Sequence, residues 1–170
     1  MNIYKITVLI FLVIFISCNN NEEVMQVFSG LDIERFMGDW YVIGLAPNFI
    51  EEGAINGIES YRLNPKGQVE ISYSFIKNGK PKKMSAKGFI QNPENTIWKV
   101  QFFWPVKFPY YVLDLDPDYK YTVVGLPSRK YVWIMSRTPE IDDDTYAGIL
   151  QRLEDIGYKI TDIKRMEQKW

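Results

Sequence analysis

At 170 residues, 46% hydrophobic, 15% aromatic and 24% charged, the chain has the length of one domain and enough apolar residues to bury a core, which excludes a disordered or collagenous sequence. Twenty Lys and Arg against 21 Asp and Glu leave a net charge of −1, so no basic field draws the protein to nucleic acid. Histidine is absent and the one cysteine is Cys18, which removes His and Cys zinc sites, Ser-His-Asp and Cys-His catalysis, internal disulfides and histidine switches; neither a metal nor a cofactor is expected.

Met1–Lys5 carries one positive side chain, and Ile6–Ile16 is an apolar run ending at the small Ser17, the layout of a secretory signal peptide. At 1.5 Å per residue this run spans about 16 Å against a hydrocarbon core of roughly 30 Å, so cleavage is expected rather than a permanent span. The segment Phe15-Ile16-Ser17-Cys18 resembles a bacterial lipoprotein lipobox, although that motif prefers Leu and a small residue where Phe15 and Ile16 stand. The resemblance implies a signal peptide over 1–17, lipid on the thiol of Cys18 and a lipidated tether over 18–30. It further implies export to a bacterial outer membrane and anchorage there. The alternative is a secreted protein with one leftover thiol.

From Trp40 onward, short apolar or alternating runs recur about every ten residues between turn signals, the pattern of an all-β sandwich or barrel. Eight strands are predicted: Trp40–Ala46, Gly57–Leu63, Val69–Ile76, Met84–Gln91, Thr96–Phe103, Tyr110–Leu115, Tyr121–Leu126 and Tyr131–Ser136. Asn64-Pro65-Lys66-Gly67, Asn78-Gly79, Asn92-Pro93, Asp116-Pro117-Asp118 and Pro127-Ser128 fix φ, supply positive φ or close side-chain turns between them. Pro47–Asn56 and Pro105–Pro109 are longer connections; the first, with Phe49 and Ile50, reads as a lid over a cavity or as a surface loop. Asp142-Asp143-Asp144 then caps a helix whose Tyr146, Ile149, Leu150, Leu153 and Ile156 recur at helical spacing until Gly157. Tyr158–Met166 alternates loosely and suits a short final edge strand.

The third strand alternates cleanly, with Val69, Ile71, Tyr73 and Phe75 on one face and Glu70, Ser72 and Ser74 on the other. The sixth to eighth strands are apolar on both faces, so the helix is expected outside them and a second apolar surface inside. An eight-stranded barrel either fills its interior or shares it with a small guest, and periodicity leaves both open.

Gly38-Asp39-Trp40-Tyr41 resembles the Gly-x-Trp element that opens the lipocalins. Asp116-Pro117-Asp118-Tyr119 is similar to the acidic-Tyr turn of that family, and Arg137 ends the eighth strand where the family places its arginine. The likeness extends to the bacterial outer-membrane lipocalins and apolipoprotein D in Val100–Pro105 and Tyr131–Pro139. It implies an eight-stranded antiparallel up-and-down barrel over 31–170, with one helix outside and a short last strand. Gly38, Trp40, Asp118, Tyr119 and Arg137 are then structural: the indole plugs the floor and the guanidinium lies across it.

The resemblance implies a non-catalytic carrier for a lipophilic guest, a fatty acid or a lysophospholipid, working in envelope maintenance. With phase set by Trp40 and Arg137, the expected lumen residues are Val42, Tyr61, Ile71, Tyr73, Phe75, Val100, Phe102, Tyr110, Val112, Tyr131 and Trp133, with Phe49 on the lid. Arg62, Lys77, Lys80, Lys82, Lys83 and Lys107 fall in or near turns, where they meet solvent or an anionic head group. Two rival readings stand beside the carrier: an enzyme using an inward Glu59 or Asp114 as acid or base, and an interaction lipoprotein with a solid barrel. Trp104 is an exposed aromatic that suits a homodimer.

Overall fold

The computed structural model describes residues 25–170; the leader, Cys18 and most of the expected tether lie outside these residues. A one-turn helix, α1 (Ile33–Phe36), is followed by β1 (Gly38–Leu45), β2 (Ala54–Leu63), β3 (Val69–Lys77), β4 (Lys80–Ile90), β5 (Ile97–Phe103), β6 (Val106–Leu115), β7 (Tyr121–Gly125) and β8 (Val132–Ser136). Helix α2 (Asp143–Asp155), a 3₁₀ turn over Ile160–Asp162 and the two-residue β9 (Lys164–Arg165) complete the chain. Each strand pairs antiparallel with its neighbour, and β1 pairs with both β2 and β8, closing an eight-stranded up-and-down barrel.

Turn chemistry sets the register. Asn78 and Gly79 both take positive φ, 53° and 69°, which lets Lys77 face Lys80 across a two-residue hairpin. Asn64 Oδ1 accepts from the backbone N–H groups of Lys66 and Gln68, closing the β2–β3 turn. The alternation expected of β3 is present: Val69, Ile71, Tyr73 and Phe75 are buried inside the barrel, and Glu70 is exposed.

Two apolar layers follow. The barrel interior contains Trp40, Val42, Tyr61, Ile71, Trp98, Tyr110, Val112 and Met135. The second lies outside the wall, where Tyr146, Ile149 and Leu153 of α2 cover Ile43, Val123, Val132 and Ile134. Asp142 caps α2, its Oδ1 accepting from Thr145 N–H at 2.8 Å, and Gly157 ends it at φ 88°.

Several boundaries depart from expectation, among them β4, which begins at Lys80 rather than Met84. α1 is absent from the sequence reading; Asp32 caps it, accepting from Glu34 and Arg35 N–H. β2 begins at Ala54, and β6 at Val106, so the β5–β6 connection is a tight turn rather than Pro105–Pro109. Pro109 pairs with Lys99 inside the ladder, because a proline forfeits one donor while its carbonyl still accepts. The last strand shrinks to β9 beside Gly44 and Leu45. At the start of the described residues, Met25 is buried in the helix-side layer and Phe28 N–H donates to Val112 carbonyl at 2.9 Å, so 25–28 lies against the barrel.

Candidate functional site

The connectivity puts Trp40, the β2–β3 turn and the end of β8 at one end of the barrel, and the 46–53 loop with the β3–β4 and β5–β6 turns at the other. The Trp40 end is closed. Phe36, delivered by α1, is ringed by Trp40 at 5.3 Å, Tyr61 at 5.4 Å and Trp98 at 5.6 Å between centroids. Trp98 stacks on Tyr110 at 5.6 Å, and Tyr110 on Trp133 at 6.3 Å. The lower part of the barrel is thus filled by the protein's own rings. Trp40 Nε1 donates to Phe36 carbonyl, so the buried indole leaves no unpaired donor.

Arg137 seals this floor. Its guanidinium carbon lies 3.7 Å from the centroid of Trp40, Nη1 donates to Asp39 carbonyl at 2.9 Å, and Nη2 donates to the carbonyls of Arg35, Phe36 and Met37. A Cβ on Gly38 would stand 3.3 Å from Arg137 Nη1 at a φ of 98°, so the glycine gives both the turn and the close approach. Tyr119, also at positive φ, accepts at its hydroxyl from Asp32 N–H and carries Arg35 over its ring at 4.1 Å. Asp118 is exposed and pairs only with Lys120 among the described residues; the turn is held by Asp116 Oδ1, which accepts from Asp118 and Lys120 N–H.

Nine of the twelve expected lumen residues, Val42, Tyr61, Ile71, Tyr73, Phe75, Val100, Tyr110, Val112 and Trp133, line or pack against the interior layer. Phe102 lies in the break of the β5–β6 register between Val100 and Phe103 and is 47% exposed, meeting Phe108, 40% exposed, edge to face at 6.3 Å. Tyr131, half-buried, lies tilted against Trp133 at 6.4 Å between centroids at the same end. Phe49 needs correcting: its ring is 85% exposed, and the lid's inward groups are its neighbours Ile50 and Glu51. Lys77 Nζ, donating to the carbonyls of Phe49 and Ile50 at 2.8 Å, holds the loop in that orientation.

The sequence names Tyr61 and Tyr110 as lumen residues and Glu59 as an inward candidate, without showing that they form one polar patch. Glu59, on β2, is buried, and its Oε2 accepts from the hydroxyls of both Tyr61 and Tyr110, which also touch each other. Burial pushes this carboxyl up to about 7, the negative charge of Glu51 adds to the shift, and the tyrosine hydrogen bonds oppose it. Glu51, on the lid, accepts from Trp133 Nε1 at 2.7 Å and from Asn48, and burial raises its pKa too. The Tyr73 hydroxyl is buried beside the Glu51 and Glu59 carboxyls, and burial, followed by their charge, raises its pKa.

Of the two acid or base candidates, Glu59 has partners the sequence did not reveal. Asp114 does not belong to the interior: it forms an ion pair with Arg152 of α2 at 2.9 Å on the outer face. Of the basic residues near the turns, Lys107 lies 3.7 Å over the ring of Phe89, and Arg62, Lys80, Lys82 and Lys83 are exposed. Among the described residues no three His, Cys, Asp or Glu side chains cluster as metal ligands. Two surface concavities lie outside the wall, one of about 480 Å³ between 26–29 and α2, the other of about 660 Å³ along the outer face of β2–β5 beside Trp104.

A barrel plugged by an indole and a guanidinium at one end, with inward aromatics exposed at the other, defines a cup-shaped protein of the class that binds small hydrophobic molecules. Residues 31–168 match the Lipocalin-like domain, and the chain belongs to the lipocalin family. It is 32% identical to temperature-induced lipocalin-1 of Arabidopsis thaliana over 86% of this chain and 84% of that one. It is 28% identical to the outer membrane lipoprotein Blc of Escherichia coli K12, over 89% and 87% of the two chains. Among solved structures, insecticyanin from the tobacco hornworm Manduca sexta superposes with a TM-score of 0.65 at 19% identity, over 84% of each chain, which speaks for the fold alone.

Proposed function

We propose that the protein is a non-catalytic carrier for a single-chain lipid, a fatty acid or a lysophospholipid, tethered to the outer membrane through lipid on Cys18 and serving envelope maintenance. The observation that carries this reading is the contrast between the two barrel ends. Trp40 and Trp98 are fully buried at the floor, whereas Phe108, on the face of Val100, and Phe102 against it stay exposed at the mouth. Every residue from Phe102 to Pro109 is exposed, so an acyl chain meets apolar surface before it enters. Because rings occupy the floor, the guest sits in the upper part, among Tyr73, Phe75, Met84 and Trp133.

Removing about 300 Å² of acyl surface from water contributes roughly 7 kcal/mol at 25 cal/mol per Å², before the costs of association. A gain of this size corresponds to a Kd of about 10 μM before those costs, which bounds what burial alone supplies. The relation to Blc, itself named an outer membrane lipoprotein, supports the anchored location.

Native mass spectrometry of the full chain, purified without added lipid, tests the carrier. A co-purifying fatty acid or lysophospholipid is expected. A chain that emerges empty and refuses acyl probes is an interaction module with a packed barrel. Incorporation of a palmitate analogue into wild type but not into Cys18→Ala tests the anchor.

A further inference from the structure

Seven large apolar side chains are exposed among the described residues, and five of them, Phe102, Phe103, Trp104, Val106 and Phe108, stand on the β5–β6 hairpin; Phe49 is a sixth at the same end of the barrel. Trp104, 85% exposed, is at the hairpin tip, where Phe103 pairs with Val106 across the turn. A contiguous apolar patch of this kind marks a contact surface.

Charge is sorted the same way. Between Glu70 and Asp114 the sequence carries seven lysines and a single acid, Glu94, in a chain whose net charge is −1. Glu94 lies in the β4–β5 turn at the floor end, where it accepts from Gly30 N–H. At the mouth, Lys80, Lys82 and Lys83 of β4 are exposed and form no ion pair among the described residues. Lys83 borders the same concavity of about 660 Å³ as Phe103 and Trp104, so charge and rings share one face. The acids of the neighbouring 46–53 loop are engaged: Glu51 is buried and Glu52 pairs with Lys164.

We propose that the β5–β6 hairpin and the lysines of β4 form a docking face for an anionic lipid bilayer, with the Trp104 tip in the head-group layer and the barrel mouth against the membrane. Aromatic rings sit favourably at that depth, where apolar surface leaves water while polar edges stay wet. Each lysine near an anionic surface strengthens docking about fivefold, so three together give on the order of a hundredfold, and salt screens them. A second copy of the chain fits this face less well. In a two-fold dimer the patch would meet itself, and Lys80, Lys82 and Lys83 would be brought up against their own copies. The inference goes beyond the carrier reading, because the face meets a membrane whether or not the barrel holds a guest, and it gives the barrel an orientation that a tether on Cys18 leaves undefined.

Tryptophan fluorescence of the full chain provides the test, using vesicles whose phosphatidylcholine is brominated along its acyl chains, with and without phosphatidylglycerol. The first 39 residues contain no tryptophan, Trp40 and Trp98 are fully buried, and Trp170 lies against Tyr41 on the outer side of β1, so Trp104 is the exposed reporter at the mouth. With phosphatidylglycerol present, quenching is expected; Trp104→Phe should remove most of it, and Trp170→Phe should leave it within about a fifth of wild type. The triple variant K80Q/K82Q/K83Q, high salt, and vesicles without phosphatidylglycerol should each reduce it several-fold. Absent quenching, quenching that Trp170→Phe removes instead, or quenching indifferent to all three changes of charge overturns the docking face. So does a Trp104 shielded from acrylamide before vesicles are added, which would mean that a second copy covers the hairpin. Titration with decanol in the absence of vesicles reads the carrier separately, so either reading can fail while the other stands.

Discussion

Arg137 lies across Trp40 at 3.7 Å while its two terminal nitrogens gather the carbonyls of four residues, Arg35, Phe36, Met37 and Asp39. One side chain therefore fixes three things: the plug, the end of α1 and the entry into β1. The hydrogen bonds matter more than the ring contact, since charged-donor bonds are worth about 1.5–3 kcal/mol each and a cation–π contact about 0.5–2.

Replacing Arg137 with Ala should accordingly lower stability by about 3 kcal/mol and Tm by roughly 5–10 °C. Lys at this position restores the charge but not the planar fork, so R137K should recover less than half of the loss. Ligand affinity should hold, because the guanidinium lies beneath the rings that fill the floor. Thermal melts and a titration with decanol check both halves; an unchanged melting temperature with lost binding would contradict the structural role.

Glu59 makes stability fall as pH rises. Its folded pKa of about 7 exceeds the ordinary 4.5, so the folded protein binds the extra proton between these values and unfolding releases it. The contribution is fully present below about 4.5 and is lost as pH rises through about 7. A shift of this size corresponds to roughly 3 kcal/mol, and Glu51, raised in the same direction, adds to it. E59Q keeps an acceptor and a donor for Tyr61 and Tyr110 without the titration. Urea denaturation should show E59Q gaining on wild type by about 2–3 kcal/mol between pH 5 and pH 8; parallel profiles would sink the assignment.

The barrel was legible because alternation and turn chemistry are local. Val69–Phe75 alternate over seven residues, and Asn78-Gly79 specifies its hairpin without help from elsewhere. The plug and its arginine were legible through resemblance, and the structure gives the mechanism. The start of β2 was not, because its support comes from the far end of the chain: Asn56 donates its N–H to Glu167 carbonyl, and its side chain bonds the backbone of Lys169. Glu59 is named by the sequence as an inward candidate, but its partners are hidden for a related reason. Glu59 carries the inward phase of Tyr61, but a charge on that face reads as a break in the pattern until Tyr110, 51 residues away, arrives beside it. Phe49 misled in the opposite way: an aromatic on a loop suggested cover, yet Lys77 turns the loop so that Ile50 and Glu51 face in.

The same C-terminal segment closes a gap that the eight strands leave. β1 pairs with β2 only from Gly38 to Tyr41; beyond that, β9 takes the edge of β1 at Gly44 and Leu45. Met166, next in sequence, donates its N–H to Ile43 carbonyl and sends its side chain into the interior layer, its sulfur 3.1 Å from Gly57 N. A Cβ on Gly57 would stand 2.5 Å from that sulfur, so the glycine and the methionine form one fitted contact. Met166→Ala empties the slot between β1 and β2 at the level of Tyr73. A loss of about 2–4 kcal/mol is expected from a buried methionine truncated where the backbone cannot collapse. Gly57→Ala should fail at the same place by crowding, costing about 1–3 kcal/mol. Because the slot lies between strands, faster hydrogen exchange at Asn56 and Gly57 than at Val112, across the barrel, distinguishes local opening from global loss. Uniform acceleration at all three would mean that the tail stabilises the barrel as a whole and does not wedge this seam.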